Sequence, residues 1–187
     1  MGGLNNRRCA NASGQAAIRS PRCSSGARLR LRKRDLVKAG AMEFDAFVKL
    51  TIYRHFAETG QAPKVEDVAE RVGAAATSVI ESYRRLRALR VLVLEDDGPS
   101  IRMAPPFSGV PTQHVVEANG VRYFGNCAWD ALGVPAALHR KAVVRSRCEQ
   151  SGEPLHLDVA LEGPSRYDWV FHCLVPASQW WDDIVFT

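Results

Sequence analysis

The sequence predicts an α+β chain in which a winged helix-turn-helix-like region precedes a mainly β region carrying one short helix. Apolar residues recur at helical spacing between residues 44 and 89, and the pattern then breaks into short alternating runs. Beyond residue 95 those runs are separated by Gly, Asn, Asp and Pro pairs of the kind that close hairpins.

The first helix is expected from Glu43, with Phe44, Phe47, Val48, Leu50, Thr51, Tyr53 and Phe56 on its spacing and Gly60 near its end. After a loop holding Pro63, Val65, Val68, Ala69 and Val72 mark a short second helix stopped by Gly73. Thr77 and Ser78 open a third, whose apolar positions are Val79, Ile80, Tyr83, Leu86 and Leu89. A strand from Val91 to Leu94, a turn at Asp96-Asp97-Gly98-Pro99 and a returning strand at Ile101–Met103 complete the wing. Ala104-Pro105-Pro106-Phe107-Ser108-Gly109 reads as a linker by composition. Strands follow at His114–Ala118 and Val121–Phe124 around Asn119-Gly120, a strong signal for a tight hairpin. A short helix is expected from about Cys127 to Leu132, then strands at Ala142–Arg147, Leu155–Leu161 and Trp169–Val175. The expected organisation is a leader over 1–41, a winged-helix-like domain over 42–104 and a second domain over 105–187.

The formal charge of +5 is unevenly placed. Residues 1–41 hold ten Lys and Arg against the single acid Asp35, a balance of +9, which leaves residues 42–187 acidic at −4. The leader, rich in Gly, Ser, Ala and Arg without apolar periodicity, is expected to be disordered. It lacks the continuous apolar stretch of a secretory signal; an organellar transit peptide fits its composition, but an upstream start with Met42 as the true beginning is the preferred reading. No apolar run approaches the roughly 20 residues of a membrane span. Two of the five cysteines, Cys9 and Cys23, lie in the leader; the others, Cys127, Cys148 and Cys173, have neither disulfide nor zinc-finger spacing, so free thiols in a reducing cytoplasm are expected.

The segment from Tyr123 to Leu132 is the one that suggests chemistry. Asn126 is a candidate N-cap, which puts Cys127 in the first helical turn, where free N–H groups and the helix dipole favour a thiolate. Asp130, three residues on, shares its face. A soft anionic ligand beside a carboxyl group suits a soft metal ion and a proton transfer. The competing reading makes Cys127 a small buried hydrophobe and Asp130 a surface charge. His172 reads as an ordinary strand histidine, and Trp129, Trp180 and Trp181 as packing residues. The basic run at Arg84, Arg85 and Arg87 reads as a solvated helix face more than a phosphate contact.

Asn126-Cys127-Ala128-Trp129-Asp130-Ala131-Leu132-Gly133, then Cys148-Glu149-Gln150-Ser151-Gly152-Glu153-Pro154-Leu155, then Pro176 through Trp180-Trp181-Asp182-Asp183-Ile184, resembles the alkylmercury (organomercurial) lyase family from about Phe44 to Thr187. The resemblance implies an organomercurial-lyase-type catalytic domain, with Cys127 as the thiol that captures mercury and Asp130 as the proton relay. It also implies protonolysis of R–Hg⁺ to R–H and Hg(II) for mercury detoxification, no cofactor, cellular thiols for product release and mercuric reductase as a partner. It places a second catalytic cysteine shortly after the Trp-Trp-Asp-Asp-Ile segment; the sequence ends at Thr187, apolar and patterned to its last residue, so truncation at the C-terminus is expected. Cys148 matches a scaffold cysteine before a turn and is read as structural. Cys173, in a presumed strand with Phe171 and Val175 on its own face, is read as core. Two alternatives remain: a winged-helix transcription regulator sensing a soft metal or thiol-reactive ligand, and an inactive lyase remnant.

Overall fold

The computed structural model describes residues 33–165, 170–173 and 175–185. Its first helix, α1 (Lys33–Thr59), begins before the expected start. Arg34, Leu36, Lys38 and Ala39 are good helix formers contiguous with the apolar pattern, so residues 33–41 are helical rather than the disordered leader expected of them; residues 1–32 lie outside the described residues. The buried face of α1 is the i, i+4, i+8 row Val48, Ile52 and Phe56. Phe47 and Leu50, counted among the apolar positions of this helix, fall off that row and are exposed.

Helix α2 (Val65–Val72) matches its expected span and ends in the left-handed Gly73. At its start the Asp67 carboxylate accepts a hydrogen bond from the Lys64 N–H at 3.1 Å. Helix α3 (Ala76–Ala88) buries Val79, Tyr83 and Leu86 against α1 and α2. Leu89 is exposed because it caps the helix just before the chain turns through Arg90 at φ 59°.

A charged pair fastens α1 to α3. Arg85 donates from Nε and Nη2 to the two carboxylate oxygens of the buried Asp45, at 2.8 and 2.7 Å. The hydrogen bond from Arg85 holds the Asp45 carboxyl below its usual value. Asp45→Asn is expected to cost about 1–2 kcal/mol in urea unfolding at neutral pH, toward the low end because the Arg85 side chain is 40% exposed. A depressed carboxylate contributes above its unfolded pKa, near 3.8, and loses that contribution as pH falls through the lower folded value. The stability difference between wild type and variant should therefore shrink below about pH 4.

Three short strands follow, β1 (Val93–Leu94), β2 (Ile101–Ala104) and β3 (Phe107–Ser108), antiparallel in the order β1-β2-β3. The expected linker at 104–109 is thus a β-hairpin, with Met103 opposite Ser108 and Ala104 opposite Phe107. Its Pro105-Pro106 pair makes the turn and leaves Phe107 buried. The Phe107 ring stacks on Phe56 of α1 at 5.3 Å and lies 5.9 Å from Tyr123. Composition misled because proline marks a turn as readily as a tether.

The second sheet is antiparallel in the order β5-β4-β6-β7-β8, built from β4 (Val115–Ala118), β5 (Val121–Phe124), β6 (Ala142–Arg147), β7 (Pro154–Ala160) and β8 (Gly163–Pro164). The Asn119-Gly120 turn has both residues at positive φ, 51° and 78°, as a two-residue hairpin requires. Between β5 and β6 runs α4 (Ala128–Leu138), which buries Ala131, Val134 and Pro135. It continues past Gly133 and Pro135, where a stop was expected, because its apolar inner face packs on the core. The strand expected at Trp169–Val175 is not formed at 170–173 or 175, and residues 169 and 174 lie outside the described residues. Tyr123 donates from its hydroxyl to the Ala57 carbonyl at 2.8 Å, and a bridge joins Phe107 to Gly125, so α1 and both sheets meet around one aromatic cluster. No helix among the described residues is long and apolar enough to cross a membrane.

Candidate active site

The end of β5 delivers the chain into α4, and Gly125 sets how tightly. A Cβ there would stand 2.6 Å from the Ala131 nitrogen and 2.9 Å from its Cα, so only glycine lets the strand end approach the first turn of the helix this closely. Cys127 then occupies the N-cap, with extended φ and ψ of −144° and −179°, and its carbonyl accepts the first helical bond from Ala131 at 3.0 Å. The cap therefore falls one residue later than expected, on Cys127 and not on Asn126.

That shift changes what Asn126 does. Its Nδ2 donates to Oδ2 of Asp130 at 2.8 Å, an i, i+4 contact that fixes the carboxyl group. The Asn126 Oδ1 is buried without a hydrogen-bond partner. The sequence signal for this role was present in the spacing of the two residues and was spent on the cap instead. Tyr53 was also missed. It belongs to α1 and donates to the Pro105 carbonyl at 3.1 Å, and its phenol is raised by burial and, secondarily, by the charge of Asp130.

The expected thiolate is not favoured in this state. Burial pushes the Cys127 thiol up and outweighs the backbone N–H groups of Asp130 and Trp129, which pull it down. The negative charges of Asp130 and Cys173 raise it further. Asp130 is likewise raised by burial, partly offset by the side chain and backbone of Asn126. Both groups are thus biased toward holding a proton, and the charge of Asp130 further discourages ionisation of Cys127.

The remaining candidates are dispersed. Cys148 sits at the β6–β7 turn, where its carbonyl accepts from the Gly152 N–H and its thiol is lowered by the Ser151 hydroxyl. Cys173, expected in a core strand, is exposed and outside any strand, as is His172. Trp129, expected to pack internally, is 56% exposed and lies against Phe171 at 5.7 Å. Trp180 donates its indole N–H to the Val175 carbonyl, and Arg90 lies over the Trp181 ring. A surface hollow of about 340 Å³, lined by Glu117, Ala142, Val143, Asp158 and Val159 among others, includes neither Cys127 nor Asp130. Among the described residues no group of three or more metal-ligating side chains converges.

Opposite shifts at two thiols give a chemical readout. At neutral pH iodoacetamide should label Cys148 faster than Cys127, measured peptide by peptide by mass spectrometry. Cys127 labelling should accelerate as pH rises toward its raised pKa.

The alkylmercury lyase family model matches residues 107–187, a span that begins at Phe107 and contains Cys127 and Asp130. An alkylmercury lyase of Bacillus cereus is 28% identical over 100 residues, covering 54% of this chain and 44% of that protein. One from Pseudomonas putida is 45% identical over 51 residues, 27% of this chain and 24% of the relative. A crystal structure of the mercury-bound form of MerB2 is 22% identical with a TM-score of 0.49, covering 67% of this chain and 66% of that one. The chain spans under half the length of the curated relatives it matches. Over residues 107–187, somewhat under half of its length, the chain is similar to the alkylmercury lyase family.

Proposed function

We propose that this chain is an organomercurial lyase, cleaving the carbon–mercury bond of R–Hg⁺ to give R–H and Hg(II) in mercury detoxification. The observation that carries the reading is the meeting of Cys127 and Asp130 at the start of α4, inside the family-matched span. In the first step the Cys127 S–H bond breaks and an S–Hg bond forms, with the thiol proton passing to Asp130. Burial raises the pKa of Asp130, which suits it to hold that proton until the carbon can take it. Thiolate donation to mercury weakens the Hg–C bond, the proton goes to carbon, and the bonding pair becomes the new C–H bond. Asn126 keeps the carboxyl group aimed.

Mercury is substrate and product here, and no cofactor is required. Hg(II) leaves by exchange to a cellular thiol or to mercuric reductase in the cytoplasm. Residues 105–187 are read as the catalytic part. Residues 42–104, with α1–α3 and the β1–β2 hairpin, are read as winged-helix-like. A regulator reading is weakened by Arg85, whose guanidinium is engaged by Asp45 instead of facing a phosphate.

The test is benzene release from a phenylmercury salt by the purified chain with excess small thiol. Catalytic turnover supports the lyase. A folded protein that binds mercury without releasing benzene would identify an inactive relative.

A further inference from the structure

We propose that α1 carries a self-pairing seam: the exposed row Glu43, Phe47, Leu50 and Arg54 binds the same row of a second copy of this chain, antiparallel, in a two-fold dimer. The seam lies outside the family-matched span 107–187, so the proposal stands apart from the lyase reading.

Helical geometry sets the row. Its members stand four, three and four residues apart on α1, the spacing of a coiled-coil seam. At about 100° per residue they fall in a narrow strip on the side of the helix opposite the buried row Val48, Ile52 and Phe56. All four are exposed. Phe47 is 46% and Leu50 44% exposed, and at three residues' separation they are surface neighbours. Met42, 73% exposed, and Ala46 widen the strip on one flank. Contiguous exposed apolar side chains rimmed by charge mark a contact surface.

The charges at the two ends of the row identify the occupant. Two-fold pairing requires residue i to meet residue j while j meets i. With the axis between residues 48 and 49, Phe47 meets the partner's Leu50 and Glu43 meets the partner's Arg54, each contact being made twice. The apolar pairs close between two carboxylate–guanidinium pairs. Parallel pairing would instead set Glu43 against Glu43 and Arg54 against Arg54, and opposed like charges repel. Among the described residues, neither Glu43 nor Arg54 forms an ion pair within its own chain. Other charges of α1 are matched internally, Asp45 by Arg85 and Glu58 by Arg71.

The experiment is sedimentation equilibrium of the full chain with a small thiol present, so that no disulfide joins the copies. A seam this small predicts association in the range of tens of micromolar, so at about 100 µM the mass should approach twice 20.6 kDa. Glu43→Arg and Arg54→Glu are each expected to weaken the dimer at least about tenfold by opposing like charges, and Leu50→Asp to do the same. The double variant Glu43→Arg/Arg54→Glu should restore it, because the pairs re-form with their signs exchanged. Circular dichroism checks the folding of every variant, and these positions are exposed. A chain that stays at the single-copy mass overturns the proposal; Glu43 shielded from carbodiimide labelling in that monomer would assign the face to another segment of the same chain. A dimer indifferent to both single reversals, or one that the double variant does not restore, overturns it as well.

Discussion

Cys127→Ser is expected to lower benzene release from phenylmercury by at least about a thousandfold. The substitution is close to isosteric at a position whose backbone is ordinary extended chain, so it should leave α4 capped; serine is in fact a preferred N-cap residue. What it removes is the soft sulfur. A hydroxyl neither binds mercury with comparable strength nor ionises near neutral pH. Steady-state kinetics with circular dichroism as the folding control decides the matter. Wild-type rates from the serine variant would take Cys127 out of the reaction.

Asp130→Asn should behave differently: mercury still binds, but cleavage slows by about 10²–10⁴-fold, the usual worth of a positioned acid–base group. The amide keeps the shape of the carboxyl group and its contact with Asn126 can persist with the partner amide rotated, since Asn126 Oδ1 is vacant. It has no proton to accept from the thiol or to give to carbon. Single-turnover measurement of benzene separates this from a binding defect, and a variant that cleaves at the normal rate would end the assignment of Asp130 as relay.

Where local rules act alone, the sequence was a good guide. The span of α2 follows from its apolar spacing and Gly73, β5 from the Asn119-Gly120 turn before it, and β6 from its own pattern. Local rules failed where tertiary packing decides. Pro105-Pro106 looked like a tether, yet the core needed a ring at Phe107 and turned the segment into a hairpin. Cys127 and Asp130 were legible as neighbours at the start of a helix, though Cys127 proved to be its N-cap; their proton affinities were not legible, because a dipole can be read from sequence and burial cannot. Tyr53 was invisible as a site neighbour since only the folded chain brings it within reach of the Asp130 charge. Cys173 was misjudged for the opposite reason: an alternating apolar run implied a strand that residues 170–173 do not form.

The ring cluster of Phe56, Phe107 and Tyr123 ties the fate of the helical part to that of the sheet on heating. Neither part can melt without uncovering rings that belong to the other, so calorimetry should record a single endotherm for residues 33–187. A ligand that binds the native state raises the melting temperature of everything that unfolds with its site. Mercury held at the start of α4 should therefore protect amide protons in α1, more than 60 residues away in sequence, from exchange with solvent.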